Sequence, residues 1–374
     1  DLALTATKLI ASILQQGLPH PKECGPTLVA LETSPNSMIA HLAWKEHRVM
    51  HQKHETTIEK EYVRSIQRSL AYQQNVAGDP SGFTGFPPKP KLHYFWDVLK
   101  AGKIKVRHKF LGNIVQRLEF EPTSLDIRTN NPPELALARY VCENLAFFEY
   151  ERLDDLLKAL SALEKSFASV GTPVAQSIES EVLKLNVAAM LAPDPMAIGT
   201  ITGENTTSIN PARLKTLALS AQILLVISET RAYILRLWNL QKVARNTKGA
   251  AKENSKAPSR ATNAPALTDS YIRSIAELMT PAASSEQQHI LCQQFIDVMT
   301  VDSEAKLPSE DEDDVALGGG EASGSEGRSA TPPTGKGRKR KTGGSIQNTP
   351  RKKSRPRKSS VSKSTEDGDE GAWE

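Results

Sequence analysis

Three histidines on one predicted helix are the first residues whose spacing suggests chemistry. His47, His51 and His54 recur at intervals of four and three, and HRVMH has the histidine spacing of a zinc-protease helix. The glutamate that serves as general base in such helices is missing, because Arg48 stands in its place and would also repel a dication. The pattern therefore favours a solvated or partner-facing polar stripe, and we expect neither a metal nor a cofactor.

A cluster of cations around a predicted helical hairpin is the first of two basic features. It contains Lys89, Lys91, Lys103, Lys105, Arg107 and Lys109. Lysines and arginines on such a hairpin can neutralise DNA phosphates without reading base sequence. A merely solvated face is the alternative. The adjacent Tyr94, Phe95 and Trp96 are consecutive, so at least one of them is expected to face the core.

The second basic feature lies near the C-terminal end, between Gly327 and Thr365, where the chain has no acidic residue. Two groups of cations are separated there by a short spacer, in the arrangement of a bipartite nuclear localisation signal. They are Lys336, Arg338, Lys339, Arg340 and Lys341, then Arg351, Lys352, Lys353, Arg355, Arg357 and Lys358. A generic polybasic tail that attracts DNA is a compatible interpretation. We predict nuclear localisation through importin.

Three hydroxyl residues near these charges are candidate phosphorylation sites. Ser309 precedes an acidic block at 310–314, while Thr331 and Thr349 each precede a proline. A phosphate at Thr349 would place nearly two negative charges between the basic groups, which predicts weaker binding of DNA.

Other chemistry-bearing patterns are missing from the sequence. The three cysteines, Cys24, Cys142 and Cys292, are far apart and odd in number, so they favour small buried side chains over a disulfide framework. There is no phosphate-binding GxxxxGKS/T motif and no GxSxG elbow. We therefore expect a protein that is not an enzyme. The most apolar stretch, Leu217–Ile227, is too short to cross a bilayer, and no membrane role is expected.

The elements that must position these residues are predicted to be helices. Apolar residues recur every three or four positions up to about residue 301, and aromatic content is only 5%. Long helices are predicted over about 34–76 and 208–245, with shorter ones at 92–102, 105–118, from Pro133, and over 151–170. Gly171-Thr172-Pro173 is predicted to end that helix and begin another at 174–190.

This pattern predicts an all-α fold, a HEAT-type α-solenoid, with a compact helical domain as the structural alternative. We divide the chain into a helical repeat region (1–245), a linker (246–268), terminal helices (269–301) and a disordered, acidic then basic tail (302–374). Because Asp1 opens within a helical pattern, we expect a piece of a longer protein.

Three colinear segments resemble the C-terminal region of the Nipped-B/adherin family of cohesin loaders, with insertions of fungal style. They are GPTLVALETSPNSMIAHLAWKEHRVMHQKHETTIEKEY (25–62), KLHYFWDVLKAGKIKVRHKFLGNI (91–114) and LALARYVCENLAFFEYERLDDLLKALSALEKSFASVGTPVAQSIESE (135–181). The similarity covers residues 10–245 and continues through CQQFIDVM (292–299).

The resemblance implies a hook-shaped scaffold that binds double-stranded DNA and the SMC heads and kleisin of cohesin, and stimulates cohesin's ATP hydrolysis on chromatin. It also implies a TPR-type partner, bound through an N-terminal segment that this sequence lacks. The alternative is another nuclear HEAT-repeat scaffold, of condensin or transport type.

Overall fold

The computed structural model describes residues 2–17, 20–183, 209–240 and 256–304, and these form an almost wholly helical body. The α-helices of this part are α1 (Leu2–Gln15), α2 (Pro21–Glu32), α3 (Ser37–Glu59), α4 (Tyr62–Tyr72), α5 (His93–Ala101), α6 (Ile104–Gln116), α7 (Pro133–Phe147), α8 (Leu153–Ser177), α9 (Pro211–Leu237), α10 (Ala264–Leu278) and α11 (Ser285–Glu304). The prediction of an all-α protein is confirmed.

Short irregular elements connect some of these helices. Two π-helical turns, Gln73–Ala77 and Ile178–Val182, extend α4 and α8, and Pro122–Ser124 is a 3-10 turn. A two-residue antiparallel pair, β1 (Phe83–Thr84) with β2 (Lys89–Pro90), closes the loop before α5.

Prolines and asparagines mark several helix starts, and the start at Pro133 is the one predicted from the sequence. Pro21, Pro133 and Pro211 each occupy the first helical position, where the missing N–H has no partner to lose. Asn36 and Asn210 cap α3 and α9 by accepting a hydrogen bond from the N–H two residues ahead.

The first half of the body is built from helices that pack against their near neighbours in the chain. Helix α2 packs against α3 and α4, α1 against α3, and α6 against α8. The predicted single helix over 34–76 is wrong, because the chain breaks at Lys60 and Glu61 and α4 folds back onto α2. His54 already departs from helical geometry, with φ −134° and ψ 36°.

The second half is organised around α9, which contacts α7, α8, α10 and α11. By length and composition α9 could cross a membrane, but 78% of its most apolar window is buried against the protein, as befits a central core helix. Leu217, Ile223 and Ile227 are at most 1% exposed. The terminal helices therefore pack directly on α9, and α10 begins at Ala264, inside the stretch predicted to be a linker.

The predicted stop at Gly171-Thr172-Pro173 is also wrong, because α8 continues through it to Ser177. A Cβ on Gly171 would lie 3.4 Å from Met299 Sδ and 3.6 Å from Phe295 Cζ of α11. The glycine therefore sits at a close contact between α8 and α11, and it does not terminate the helix.

Candidate nucleic-acid interface

Helices α5 and α6 form the hairpin that carries most of the predicted basic cluster. The Gly102 N–H donates to the Leu99 carbonyl at 3.1 Å and closes the end of α5. A Cβ at Gly102 would lie 3.1 Å from Nε2 of His51, so the glycine lets the turn approach α3 closely. Lys103 then adopts an extended conformation immediately before α6 begins.

Arg107 belongs to the interior of this hairpin, and its assignment to a DNA face is corrected. Its side chain is buried, and Nε donates to both carboxylate oxygens of Asp155 on α8, at 3.1 and 3.3 Å. Nη1 donates to the carbonyls of Leu99, Lys100 and Gly102 at 3.1–3.3 Å. The guanidinium thus caps the end of α5 and ties the turn to α8, which leaves it unavailable to a phosphate.

Lys91 is the second cation that the structure removes from the surface. It is 6% exposed, and Nζ donates to Gln73 Oε1 and to Asp79 Oδ2, both at 2.8 Å. Burial lowers the pKa of Lys91, while the hydrogen bond to Asp79 opposes that shift. Lys91 therefore fastens the loop before α5 to the end of α4.

Three lysines of the hairpin do reach solvent. Lys103 Nζ lies 2.5 Å from Glu55 Oε2, Lys109 Nζ lies 2.8 Å from Glu59 Oε1, and Lys105 is exposed. The hydrogen bond from Lys103 lowers the pKa of Glu55, and the same bond raises the pKa of Lys103. The C-terminal half of α3 thus supplies carboxylates that offset part of the lysine charge.

Lys89 is exposed and lies before the hairpin, beside Tyr94 of α5. Its Nζ lies 5.8 Å from the centroid of the Tyr94 ring. Tyr94 is half-buried, whereas Phe95 and Trp96 are buried in the core as the sequence predicts. The predicted cluster of six cations therefore separates into two buried residues, three hairpin lysines and Lys89.

Two of the three histidines predicted to form a solvated polar stripe on α3 are buried, while His54 is exposed. His47 is fully buried, with Nδ1 2.6 Å from Glu32 Oε1, and His51 Nδ1 lies 2.6 Å from the buried Tyr62 hydroxyl. Both imidazoles join helices inside the core. In the described ranges, no three His, Cys, Asp or Glu side chains are grouped so that they could hold a metal ion.

Two of the three cysteines lie in the core. Cys142 and Cys292 are completely buried, and burial raises the pKa of each thiol to about 12. Such thiols are inert packing groups at neutral pH, as the sequence predicts. Cys24 is half-buried.

The predicted localisation signal, the acidic block and the candidate phosphorylation sites Ser309, Thr331 and Thr349 all lie outside the described residues. They stay predictions from the sequence.

Comparison with known proteins shows what this helical body is similar to. Residues 1–166 match the family model described as "Sister chromatid cohesion C-terminus" of Nipped-B type. The structure aligns with the C-terminal fragment of the cohesin loader SCC2 from Chaetomium thermophilum, with a TM-score of 0.64 and 34% identity over 80% of this chain. The chain is related to the C-terminal region of the Nipped-B cohesin loaders. Both the resemblance drawn from the sequence and the predicted solenoid fold are confirmed.

Curated proteins that resemble this chain point the same way. The sister chromatid cohesion protein mis4 of Schizosaccharomyces pombe is 22% identical over 179 residues, which is 46% of this chain and 11% of mis4. The Nipped-B-like protein of Mus musculus is 25% identical over 183 residues, or 48% of this chain and 6% of that protein. The chain therefore spans only a small part of these relatives, and of the SCC2 fragment it covers 19%.

Proposed function

We propose that this chain forms the C-terminal end of a cohesin-loading scaffold that binds cohesin and double-stranded DNA and has no active site of its own. The supporting observation is the alignment of 80% of the chain with a cohesin loader fragment at 34% identity. The predicted alternative, a condensin-type or transport scaffold, has no comparable support among these matches.

The proposed mechanism is coupling through simultaneous contacts. A rigid helical body that binds the SMC heads, the kleisin and DNA in one geometry makes engagement of the heads more favourable when DNA is present. Stimulation of cohesin's ATP hydrolysis then requires no reacting side chain in this chain. The extensive core around α9 supplies the rigidity that such a scaffold needs.

The DNA-contacting face that we propose is the set of hairpin lysines, Lys103, Lys105 and Lys109. Lys103 is 74% exposed and Lys109 56% exposed, so both can reach a phosphate. Exposed ion pairs contribute only about 0–1 kcal/mol, so phosphates can replace Glu55 and Glu59 as partners. Contacts of this type position a duplex without reading its sequence, and they weaken with salt.

The proposal includes two further partners, which would bind segments outside the described residues. The basic groups at 336–341 and 351–358 would bind importin, place the protein in the nucleus and raise the local concentration of DNA. A TPR-type partner would bind a preceding N-terminal segment of the full protein.

The decisive experiment measures DNA-dependent ATP hydrolysis by purified cohesin with the full parent protein added. The test variant carries Lys103→Gln, Lys105→Gln and Lys109→Gln, because glutamine avoids new repulsion from Glu55 and Glu59. The matched control removes three other exposed cations, through Lys22→Gln, Arg117→Gln and Arg128→Gln.

Loss of stimulation only in the hairpin variant supports both the loader role and the DNA face. Stimulation that survives in that variant keeps the loader role but moves DNA elsewhere. No stimulation by the intact protein overturns the proposal.

A gain-of-binding variant tests the same face in the opposite direction. Glu55→Gln with Glu59→Gln frees Lys103 and Lys109 from their carboxylate partners. We expect tighter binding to a DNA duplex and a steeper dependence of affinity on salt, by up to about one unit of slope per freed lysine. Unchanged duplex binding would remove these lysines from the interface.

A further inference from the structure

A row of four rings lies on the surface where the N-terminal half of α3 meets α5. His41 and Trp44 from α3 have centroids 5.2 Å apart, Trp44 and Tyr94 are 5.6 Å apart, and Tyr94 and His93 of α5 are 4.0 Å apart. His41 is exposed and the other three are partly exposed. We call His41, Trp44, Tyr94 and His93 the aromatic row.

Three exposed cations border the aromatic row. Arg48 places its guanidinium carbon 5.8 Å from the Trp44 centroid, Lys89 lies at the same distance from Tyr94, and Lys45 follows Trp44 on the exposed side of α3. In the described part of the chain none of the three has a carboxylate within salt-bridge distance, unlike Lys103 and Lys109. Their charge is therefore free to attract an anion.

The remaining titratable groups do not cancel this charge. Burial, followed by repulsion from Lys89, lowers the pKa of His93, so at neutral pH this imidazole offers a ring and no charge. Asp97 lies on α5 beside the row but is held by Lys100 at 3.0 Å. Asp97 and Glu149 both oppose the lowering of the His93 pKa, but burial outweighs them.

A ligand that uses both features must carry flat π-faces and regularly spaced anions. Duplex DNA presents phosphates but keeps its base faces stacked inside, and an acidic peptide would engage the cations while leaving a run of rings unused. Unpaired nucleotides offer both, since bases stack on aromatic rings and phosphates contact neighbouring cations. We infer that the aromatic row and its bordering cations bind single-stranded nucleic acid.

This inference does not depend on the cohesin role, because the hairpin lysines and the aromatic row share no residue. The spacing of residues in the sequence indicates the part of the site that lies on α3. His41, Trp44, Lys45 and Arg48 follow each other at i, i+3, i+4 and i+7, which places them on one face of α3. The contribution of α5 and of Lys89 comes only from the fold.

The test measures binding of a fluorescently labelled oligo(dT) of about 15 nucleotides to the full chain by anisotropy. Salt of about 200 mM suppresses purely electrostatic attraction by the basic tail. The ring variant, Trp44→Leu with Tyr94→Leu, keeps all charges and should weaken binding by about tenfold. The charge variant, Lys45→Gln with Arg48→Gln, should also weaken binding and reduce its salt dependence.

Two matched controls separate these effects from general damage. Phe86→Leu removes an aromatic ring that is 78% exposed but lies outside the row, and Arg117→Gln with Arg128→Gln removes two other exposed cations. Both should bind oligo(dT) like the unaltered chain. A thermal melt of each variant establishes that it is folded. The affinity for an oligo(rU) of the same length should fall in the ring and charge variants in parallel with that for oligo(dT), because stacking does not depend on the sugar.

Three results would overturn the inference. One is a folded ring variant that binds oligo(dT) normally. Another is a ring variant that loses binding to a duplex of equal length to the same extent. The third is an oligoglutamate that displaces oligo(dT) as effectively as unlabelled oligo(dT) does, which would reveal a site for acidic peptides.

Ultraviolet crosslinking of oligo(dT) to the unaltered chain provides a measurement free of folding effects. Crosslinks within residues 41–48 or 89–97 support the site, and crosslinks confined to other peptides contradict it.

Discussion

The interior and the surface of the α5–α6 hairpin carry the same kinds of residue with opposite consequences. Inside, Arg107 is almost fully enclosed, as is Lys91 in the loop before α5, and each meets a carboxylate and further oxygen acceptors. Outside, Lys103 and Lys109 meet only one glutamate each, and most of each side chain is in water. Only two to four residues separate Arg107 from the surface lysines in the sequence.

The difference shows that charge density along a sequence does not identify a phosphate-binding face. A buried guanidinium that satisfies several carbonyls and a carboxylate is part of the structure, because removing it leaves those groups unpaired in a dry environment. An exposed lysine costs little to change and remains free to exchange partners. Stability and DNA affinity should therefore respond to different members of the same cluster.

The largest effect is expected for Arg107→Ala. This change removes the Arg107 donor from the buried Asp155 carboxylate and from three carbonyls at the hairpin turn. The free energy of unfolding, measured by urea titration with circular dichroism, should fall by about 3–5 kcal/mol.

The double variant Arg107→Met with Asp155→Leu sharpens this result, because replacing both partners by apolar side chains removes the unpaired charge. It should recover much of the loss. A single variant as stable as the unaltered chain would contradict the structural role of Arg107.

An intermediate effect is expected for Lys91→Met. The change removes three hydrogen bonds from a charged donor, to the Gln73 amide oxygen and to the carbonyl and carboxylate of Asp79, and their loss should cost about 1.5–3 kcal/mol. The loss should be smaller than for Arg107, because the Asp79 side chain is 57% exposed and water can solvate it. Equal destabilisation by the two changes, in the same urea titration, would disprove this ranking.

A small effect on stability is expected for Lys105→Gln on the surface of the same hairpin. Its exposure places the change within about 0.5 kcal/mol of zero. In contrast, the slope of log affinity for duplex DNA against log salt should fall by about one unit. Loss of stability without a change in that slope would reverse the assignment of interior and surface within the cluster.

Much of the helical framework could be predicted from the sequence, because its signals are local. The predicted helices at 92–102 and 105–118 correspond to α5 and α6, and the proline at 133 marks the start of α7. The start of the central helix, predicted at about residue 208, lies within a few residues of the observed start at Pro211.

The errors have non-local causes. Neither Gly nor Pro marks the break between α3 and α4, which follows the packing of the fully buried Tyr62 against His51 and Phe95. Gly171 looks like a stop, yet it serves a contact with a helix more than a hundred residues later. Burial of Lys91 and Arg107 depends on Asp79 and Asp155, which the sequence does not identify as partners.

The smallest expected effect is on the pH dependence of stability, through the buried side of α3. Burial, and then repulsion from His47, lowers the pKa of His51 below its usual value of about 6.5. The neutral imidazole is therefore favoured in the folded state, and its Nδ1 can accept the hydrogen bond from the Tyr62 hydroxyl. Between the folded and unfolded pKa values the unfolded chain binds more protons. The contribution of His51 to the free energy of unfolding is then fully present above about pH 6.5, and it declines as the pH falls below that value.

Urea midpoints measured from about pH 7.5 to 5.5 should show this decline, and His51→Gln should reduce its slope whatever it does to absolute stability. Burial also lowers the pKa of His93. His51→Gln should therefore leave part of the slope, and a variant that also carries His93→Gln should leave less of it. The carboxylates whose pKa values are lowered, Asp79, Glu55 and Glu181, act only at more acidic pH. An unchanged slope in His51→Gln would mean that this histidine stays equally protonated in the folded and unfolded chains, and that the buried hydrogen bond with Tyr62 does not depend on its neutral form.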